Sequence, residues 1–383
     1  MRAPAISLSV AALALAAACS SNPSPQSSPN PRQDGRTRGG ADTMPGNRVI
    51  ENSRPDVSAR AGVLVVANQE GASATVLDAA TMKTIATVPV GVGPHEVAVS
   101  HDGRWAVVTN YGDRTTQGNT LSVIDLAAAA PAVTRTIDLG EYHRPHGVAF
   151  VGIGDKLAVT SETSQRLVIV DFASGRIDTA LATNGRGSHM VASRRDGRRA
   201  WTANISDGTV TEYDLDTRRT GRTYPAAPMD EGLAVSPGGV QVWVGSNSAH
   251  TVTVLDAAKG APIDTLTGFG MPYRIGISRS GTLAIVNDPV KNRIWMYEVG
   301  SRKQLAEIDL AKVDGVKATT GGAPGEAGAG PEGVTFDPIA NVAYVTLHGT
   351  NQVVAVDLQQ RKVIGFGSVG AGPDGVAFSP YVR

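Results

Sequence analysis

Gly93-Pro94-His95-Glu96-Val97-Ala98-Val99-Ser100, with a turn at Asp102-Gly103 behind it, is the stretch from which the fold can be read. Apolar and polar side chains alternate along it with the period of two expected of a strand half-buried in a sheet. Three further short runs, 105–110, 120–125 and 134–139, follow it between turn residues, so the unit is four strands long. Equivalent starts recur at His95, His146, His189, Glu231, Tyr273, Glu332 and Asp374, spaced 51, 43, 42, 42, 59 and 42 residues apart. Four-stranded propeller blades repeat every 40–45 residues or so, whereas a helical repeat would place its apolar residues with a period near 3.6. The expected architecture is all-β: a seven-bladed β-propeller with four-stranded antiparallel blades.

Two positions after each start stands an aliphatic residue: Val97, Val148, Val191, Leu233, Ile275, Val334 and Val376. One position further stands a small one: Ala98, Ala149, Ala192, Ala234, Gly276, Thr335 and Ala377. Such alternation suits the strand nearest a propeller axis, where both neighbouring blades crowd it. An acid closes the third strand of every unit: Asp78, Asp125, Asp171, Asp214, Asp256, Glu298 and Asp357. Seven acids are too many for catalysis, and their expected task is to bind the backbone of the following turn. The first acid has no inner strand before it and the last inner strand has no unit after it. The C-terminal strand is therefore expected to complete the N-terminal blade and remove two exposed sheet edges.

Ahead of the repeats the chain changes character. Residues 1–18 contain Arg2, an apolar run from Ala5 to Ala18 and small residues leading to Cys19, which reads as an export signal peptide too short for a membrane span. Ala16-Ala17-Ala18-Cys19 resembles a lipobox, with Leu15 one position earlier than that pattern prefers, so Cys19 is the candidate lipidation site. A conventional cleavage with secretion is the alternative. Residues 19–60, rich in Ser, Pro, Asn, Gly and Arg, read as a disordered tether, and 61–383 as the propeller. Cys19 is the only cysteine of the 383 residues, which excludes disulfides, thiolate zinc sites and covalently attached c-type haem downstream. Lys plus Arg and Asp plus Glu both number 35, so no net field draws nucleic acid or an anionic membrane surface. The expected partners are a small-molecule ligand or an envelope protein. Membrane contact is expected through the lipid anchor alone, and the chain is expected to be a monomer.

The two long spacings locate insertions, at 113–119 with 127–133 and at 311–330. The second has the Gly-Ala-Pro composition of a mobile loop and leads directly to Glu332. The segments Trp105-Ala106-Val107-Val108-Thr109-Asn110, Ala343-Tyr344-Val345-Thr346 and Ser122-Val123-Ile124-Asp125, with the Gly-Pro-x-Gly-Val-Ala-Phe starts, resemble YVTN/YncE-type β-propeller repeats. That resemblance runs from about Val63 to the C-terminus and implies an exported seven-bladed propeller. Related propellers include binding proteins, lactonase-like enzymes and metal or haem proteins, so it implies no one chemistry. The family favours Asn at the end of the second strand, where this chain is read as Asn68, Asn110, Glu162, Asn204, Asn247, Asp288 and Leu347. Glu162, Asp288 and Leu347 break the symmetry there.

The unit starts carry the chemistry. Standing at one end of the inner strands, His95, His146, His189, Glu231, Tyr273, Glu332 and Asp374 are expected to ring one mouth of the central channel and to line a ligand site. Three imidazoles, His95, His146 and His189, are candidate ligands of a transition metal such as Zn, Cu or Fe. With Glu332 or Asp374 as general base, a metal-bound water would suit lactonase-like hydrolysis, and a redox or haem-binding propeller is the further alternative. A plain water-filled mouth accepting any polar side chain is the competing reading, and blade splay can keep neighbours too far apart to share one ion.

His143 and Arg144 stand close enough to reach the same mouth, and Arg186 and Arg274 could attract an anion. His101 reads as exposed, and Arg194, Arg195, Arg198 and Arg199 as a solvated hairpin. Trp105, Trp201, Trp243 and Trp295 read as packing between blades. No nucleophile elbow, phosphate-binding loop or His-Glu-x-x-His motif is present.

Overall fold

The computed structural model describes residues 61–152, 155–316 and 328–381. The signal peptide, Cys19 and the tether lie outside the described residues, as does 317–327 of the second insertion.

The described residues form 28 strands in seven sheets of four, each antiparallel, closing into a seven-bladed propeller. Blade one has the order Pro373–Ser379, Val63–Asn68, Ser73–Asp78, Thr84–Pro89 from the channel outward. Its inner strand comes from the C-terminus, in register Val65↔Ala377 and Leu64↔Phe378. The expected closure is therefore what the fold uses, and the unpaired edges of both chain ends vanish together. Blades two to seven follow in chain order, with inner strands Pro94–Val99, Pro145–Val151, Ser188–Ser193, Asp230–Val235, Arg274–Ile277 and Pro331–Phe336.

Packing occurs between blades. Seven apolar clusters are found among the described residues, and each draws its side chains from two neighbouring blades. One of them joins Val65 and Val76 of blade one to Val97, Ala106 and Val108 of blade two. Trp201, Trp243 and Trp295 are buried in such clusters, as their sequence positions suggest, and Trp105 packs half-buried at the edge of another. Interdigitation at crystal-like density between flat blades supplies the stabilisation that cysteine-free chains of this kind depend on.

The repeated acids cap turns. Asp78 accepts from Thr81 N at 2.7 Å, Asp171 from Ser174 N at 2.9 Å, Asp214 from Thr217 N at 2.8 Å and Asp357 from Gln360 N at 2.7 Å. Asp125 and Asp256 do the same for Ala127 N and Ala258 N, both at 2.9 Å. Glu298 is the exception: it accepts from the Ser301 hydroxyl instead, because the longer side chain overshoots the turn amides.

The first insertion is partly strand. Trp105–Gly112 and Gln117–Asp125 continue their pairing to Gly112↔Gln117, beyond the end expected at Asn110. That extension lifts Tyr111, Asp113 and Arg114 onto the channel mouth.

The ion-paired ring at the channel mouth

Six of the seven inner strands begin with the same irregularity, a register shift between the first residue and the aliphatic three places on, as at Pro94/Val97 and Pro145/Val148. A bulge there re-aims the intervening side chain into the channel. Four of the ring residues are also fixed from the preceding blade through their carbonyls. Thr109 donates to His146 O at 3.0 Å, Thr160 to His189 O at 2.6 Å, Asn287 Nδ2 to Glu332 O at 2.5 Å and Thr346 to Asp374 O at 2.7 Å.

These devices bring the predicted ring together. His95 Nδ1 lies 2.5 Å from Asp374 Oδ2, and His189 Nε2 lies 2.5 Å from Glu231 Oε1. Between them the three imidazoles form a stack: His95 and His146 centroids are 4.5 Å apart, and His146 and His189 are 3.6 Å apart, with interplanar angles of 34° and 33°. Glu332 faces His348 Nδ1 at 3.2 Å, and Tyr273 lies under the Arg274 guanidinium, 4.4 Å from its centre.

Stacking decides the question of a shared metal. An imidazole donates in its own plane, so two rings facing each other across 3.6 Å cannot both aim at one ion about 2 Å away. Among the described residues no group of three or more His, Cys, Asp or Glu side chains is disposed to hold a metal ion. The donor set His95, His146 and His189 does not fit one.

Arg274 has a different role from the one its sequence position suggests. The inner strand of blade six is the shortest, and Arg274, one place after the ring residue as Glu96 is in blade two, enters the channel. It donates to Glu96 Oε1 at 3.0 Å and Glu231 Oε1 at 2.8 Å, and reaches within 3.6 Å of Asp374 Oδ1. With 3 % side-chain exposure and three carboxylates around it, Arg274 is not free for an anionic ligand. Arg186 points outward to Asp207 at 2.7 Å and takes no part in the mouth.

Sequence reasoning also missed a second layer. Counted two places on from the residue opposite each inner-strand aliphatic, the second strands carry equivalent residues Asn68, Asn110, Ser161, Asn204, Ser246, Asp288 and Leu347. Asp288 thus stands where the sequence reading put it, whereas Glu162 and Asn247 stand one place further on, level with Gln69, Tyr111, Ile205 and His348. Five residues of that level touch the ring. Gln69 Nε2 is 2.7 Å from His95 Nε2, and Tyr111 meets His95 and His146 edge-on, with centroids 4.6 and 5.6 Å away. Tyr111 OH donates to Glu162 Oε2 at 2.7 Å, and Glu162 in turn lies 3.8 Å from His189 Nδ1. Asn247 donates to Glu231 Oε2 at 3.3 Å, and His348 pairs with Glu332. Asp288, at the strand-end position, binds the amides of Gly270 and Met271, as Asn110 binds Gly91 N and Asn68 binds Gly370 N.

Charge follows from this geometry. Burial opposes an imidazolium at His189, but Glu231 and Glu162 outweigh it and hold its pKa up at about 9. Burial likewise opposes the Glu231 carboxylate, and His189 with Arg274 pulls it down to about 2. Burial raises Glu332 to about 7, and for His348 the Glu332 carboxylate overcomes burial to reach about 9. His146 goes the other way: burial and the cations around it push its pKa well below the ordinary value. It is 1 % exposed, and neither ring nitrogen has a hydrogen-bond partner among the described residues. Asp230, the residue before Glu231, is buried too; among the described residues its carboxylate makes no well-formed hydrogen bond, and burial, only partly offset by the Asp230 and Asn204 backbone amides, lifts its pKa to about 8.

Beside the stack an open pocket of about 590 Å³ is lined by Gln69, Glu70, Val92, His95, Tyr111, Asp113, Arg114 and Arg144, among others. Arg144 thus reaches the mouth, with its guanidinium 4.7 Å from the centre of the Tyr111 ring. His143 turns its carbonyl to the hydroxyl of Ser161, and its Nδ1 is buried without a partner. His101 lies on the exposed surface against Asp155 at 3.0 Å.

No protein-family model and no curated protein matches the chain. Among solved structures it is similar to a functionally unknown protein from Desulfotomaculum acetoxidans DSM 771, with TM-score 0.68 and 12 % identity over 83 % of this chain and 99 % of that one. Kuenenia stuttgartiensis hydrazine synthase matches with TM-score 0.61 and 15 % identity, over 74 % of this chain and 88 % of that one. At such identities the likeness is one of fold, and what these structures share with this chain is the propeller itself.

Proposed function

We propose that the chain is an exported cell-envelope propeller, anchored through Cys19, that binds a small polar ligand at the ringed channel mouth. The observation that carries this reading is a pocket of about 590 Å³ lined by His95 and Tyr111, the two rings that pack against the neutral, buried His146, whose ring nitrogens have no bonding partner among the described residues. Buried polar groups are nearly always bonded, and sites of 300–1,000 Å³ or so with a few convergent polar groups suit small molecules. The resemblance to YVTN/YncE-type repeats, the export signal and the balanced charge support a monomeric envelope protein without nucleic-acid partners.

The test is to equilibrate the purified chain with a small-molecule extract, wash, denature and identify what is released by mass spectrometry. The reading expects at least one compound released by the wild type and absent from Tyr111→Ala. Identical release from both contradicts it, and a protein retained in place of a small molecule moves the site to partner docking.

A hydrolytic reading has one observation in its favour: Glu332, raised to about 7, can take up and release a proton near neutrality. Lactone opening followed by acid release, lost in Glu332→Gln, would establish it, and no turnover across a lactone panel removes it.

A further inference from the structure

The residue two places before each ring position is left-handed in six blades, and four of the six are glycine: Gly93, Gly187, Gly330 and Gly372, with φ from 56 to 67°. The architecture therefore demands a conformation there that side chains oppose. Arg144 occupies it at φ 54°, and Met229, exposed on the rim of blade five, at the same angle. An arginine held where glycine serves elsewhere points from strain toward use.

Its surroundings say what that use is. The Arg144 guanidinium lies against Tyr111, whose hydroxyl is tied to Glu162 and whose edge meets His95 and His146, so the platform beneath it is fixed. One N–H of Arg144 goes to the Asp113 carbonyl at 2.6 Å, and among the described residues it makes no ion pair. The nearby acids are engaged otherwise. Asp113 Oδ1 accepts from Thr115 N, its hydroxyl and Thr116 N, each at 2.7 Å, and Glu70 stands 3.7 Å from His348. Arg114, carried to the same pocket by the extended hairpin, also makes no ion pair among the described residues. A planar fork without an ion pair on the wall of an open pocket, with the Asp113 charge nearby but bound to its own turn, matches a carboxylate, which offers two oxygens to two parallel N–H groups.

We infer that the mouth pocket is a carboxylate-binding site in which Arg144 is the anchor and Tyr111 its platform. This rests on the ligand-binding reading above and adds the ligand's chemical class. Benzoate, with neutral benzamide as its isostere, probes it by calorimetry on the purified chain. The expected result is benzoate binding to the wild type at millimolar concentration or below, at least tenfold or so more tightly than benzamide. Arg144→Gly and Arg144→Asn, residues that tolerate the left-handed backbone, are expected to weaken benzoate by about the same factor, with no fall in Tm. Equal binding by wild type and Arg144→Gly, equal binding of benzamide, or no benzoate binding at millimolar concentration each overturns the inference. In any of those cases a compound released by the wild type and absent from Tyr111→Ala leaves the ligand site standing with another chemistry. If Tyr111→Ala releases the same compounds, the site itself fails as well.

Discussion

Arg274 reaches from blade six to donate to Glu96 Oε1 of blade two at 3.0 Å, joining residues 178 positions apart across the channel. The same guanidinium holds Glu231 at 2.8 Å, so one side chain ties together acids from separate sheets. Buried charge of this kind is held by mutual compensation, and removing one member strands the rest. Arg274→Met is accordingly expected to lower unfolding free energy at pH 7 by about 3–5 kcal/mol, measured by chemical denaturation. A change below about 1 kcal/mol would mean that the acids have other partners.

The His189–Glu231 pair sets a pH window. His189 is raised from its ordinary value of 6.5 to about 9, so its contribution is complete below 6.5 and lost as pH rises through 9. Glu231 is lowered from 4.5 to about 2, so its contribution is present above 4.5 and lost as pH falls toward 2. Wild type is therefore expected to exceed His189→Gln in stability most between pH 4.5 and 6.5, with the gap closing toward pH 9. A gap constant from pH 5 to 9 in paired denaturation curves contradicts the assignment.

How much of this was legible in the sequence depends on what repetition could average. Seven copies exposed the inner strand, the turn-capping acids and the ring positions, because each follows from alternation within one strand or one turn. Asp288 was placed correctly, but Glu162 and Asn247 were placed one residue early, since the end of a second strand is fixed by its pairing, Ser161↔Pro145 or Ser246↔Asp230, and residue type does not reveal that register. Tyr111 was hidden for the same reason, on a hairpin that runs two residues past Asn110. Arg274 could be seen as a charge near the mouth, but its span to Glu96 joins blades far apart in sequence, which only the closed ring discloses.

Asp230 gives an independent test of the strain stored at the mouth. Its folded pKa, raised by burial from 3.8 to about 8, means that the native state prefers the protonated acid and loses stability as pH climbs between those values. Asp230→Asn is expected to match wild type near pH 4 and to be more stable by about 1–3 kcal/mol at pH 8. A variant less stable than wild type at pH 8 would show that the carboxylate has partners of its own.

The arrangement at the mouth can be read most directly from the imidazole nitrogens. Side-chain ¹⁵N spectra of the chain at pH 7 are predicted to show His189 doubly protonated and His146 neutral, with His146 staying neutral well below pH 6.5. His146 titrating near 6.5, like a histidine in open water, would take it out of the stack that backs His95 and Tyr111 on the pocket wall.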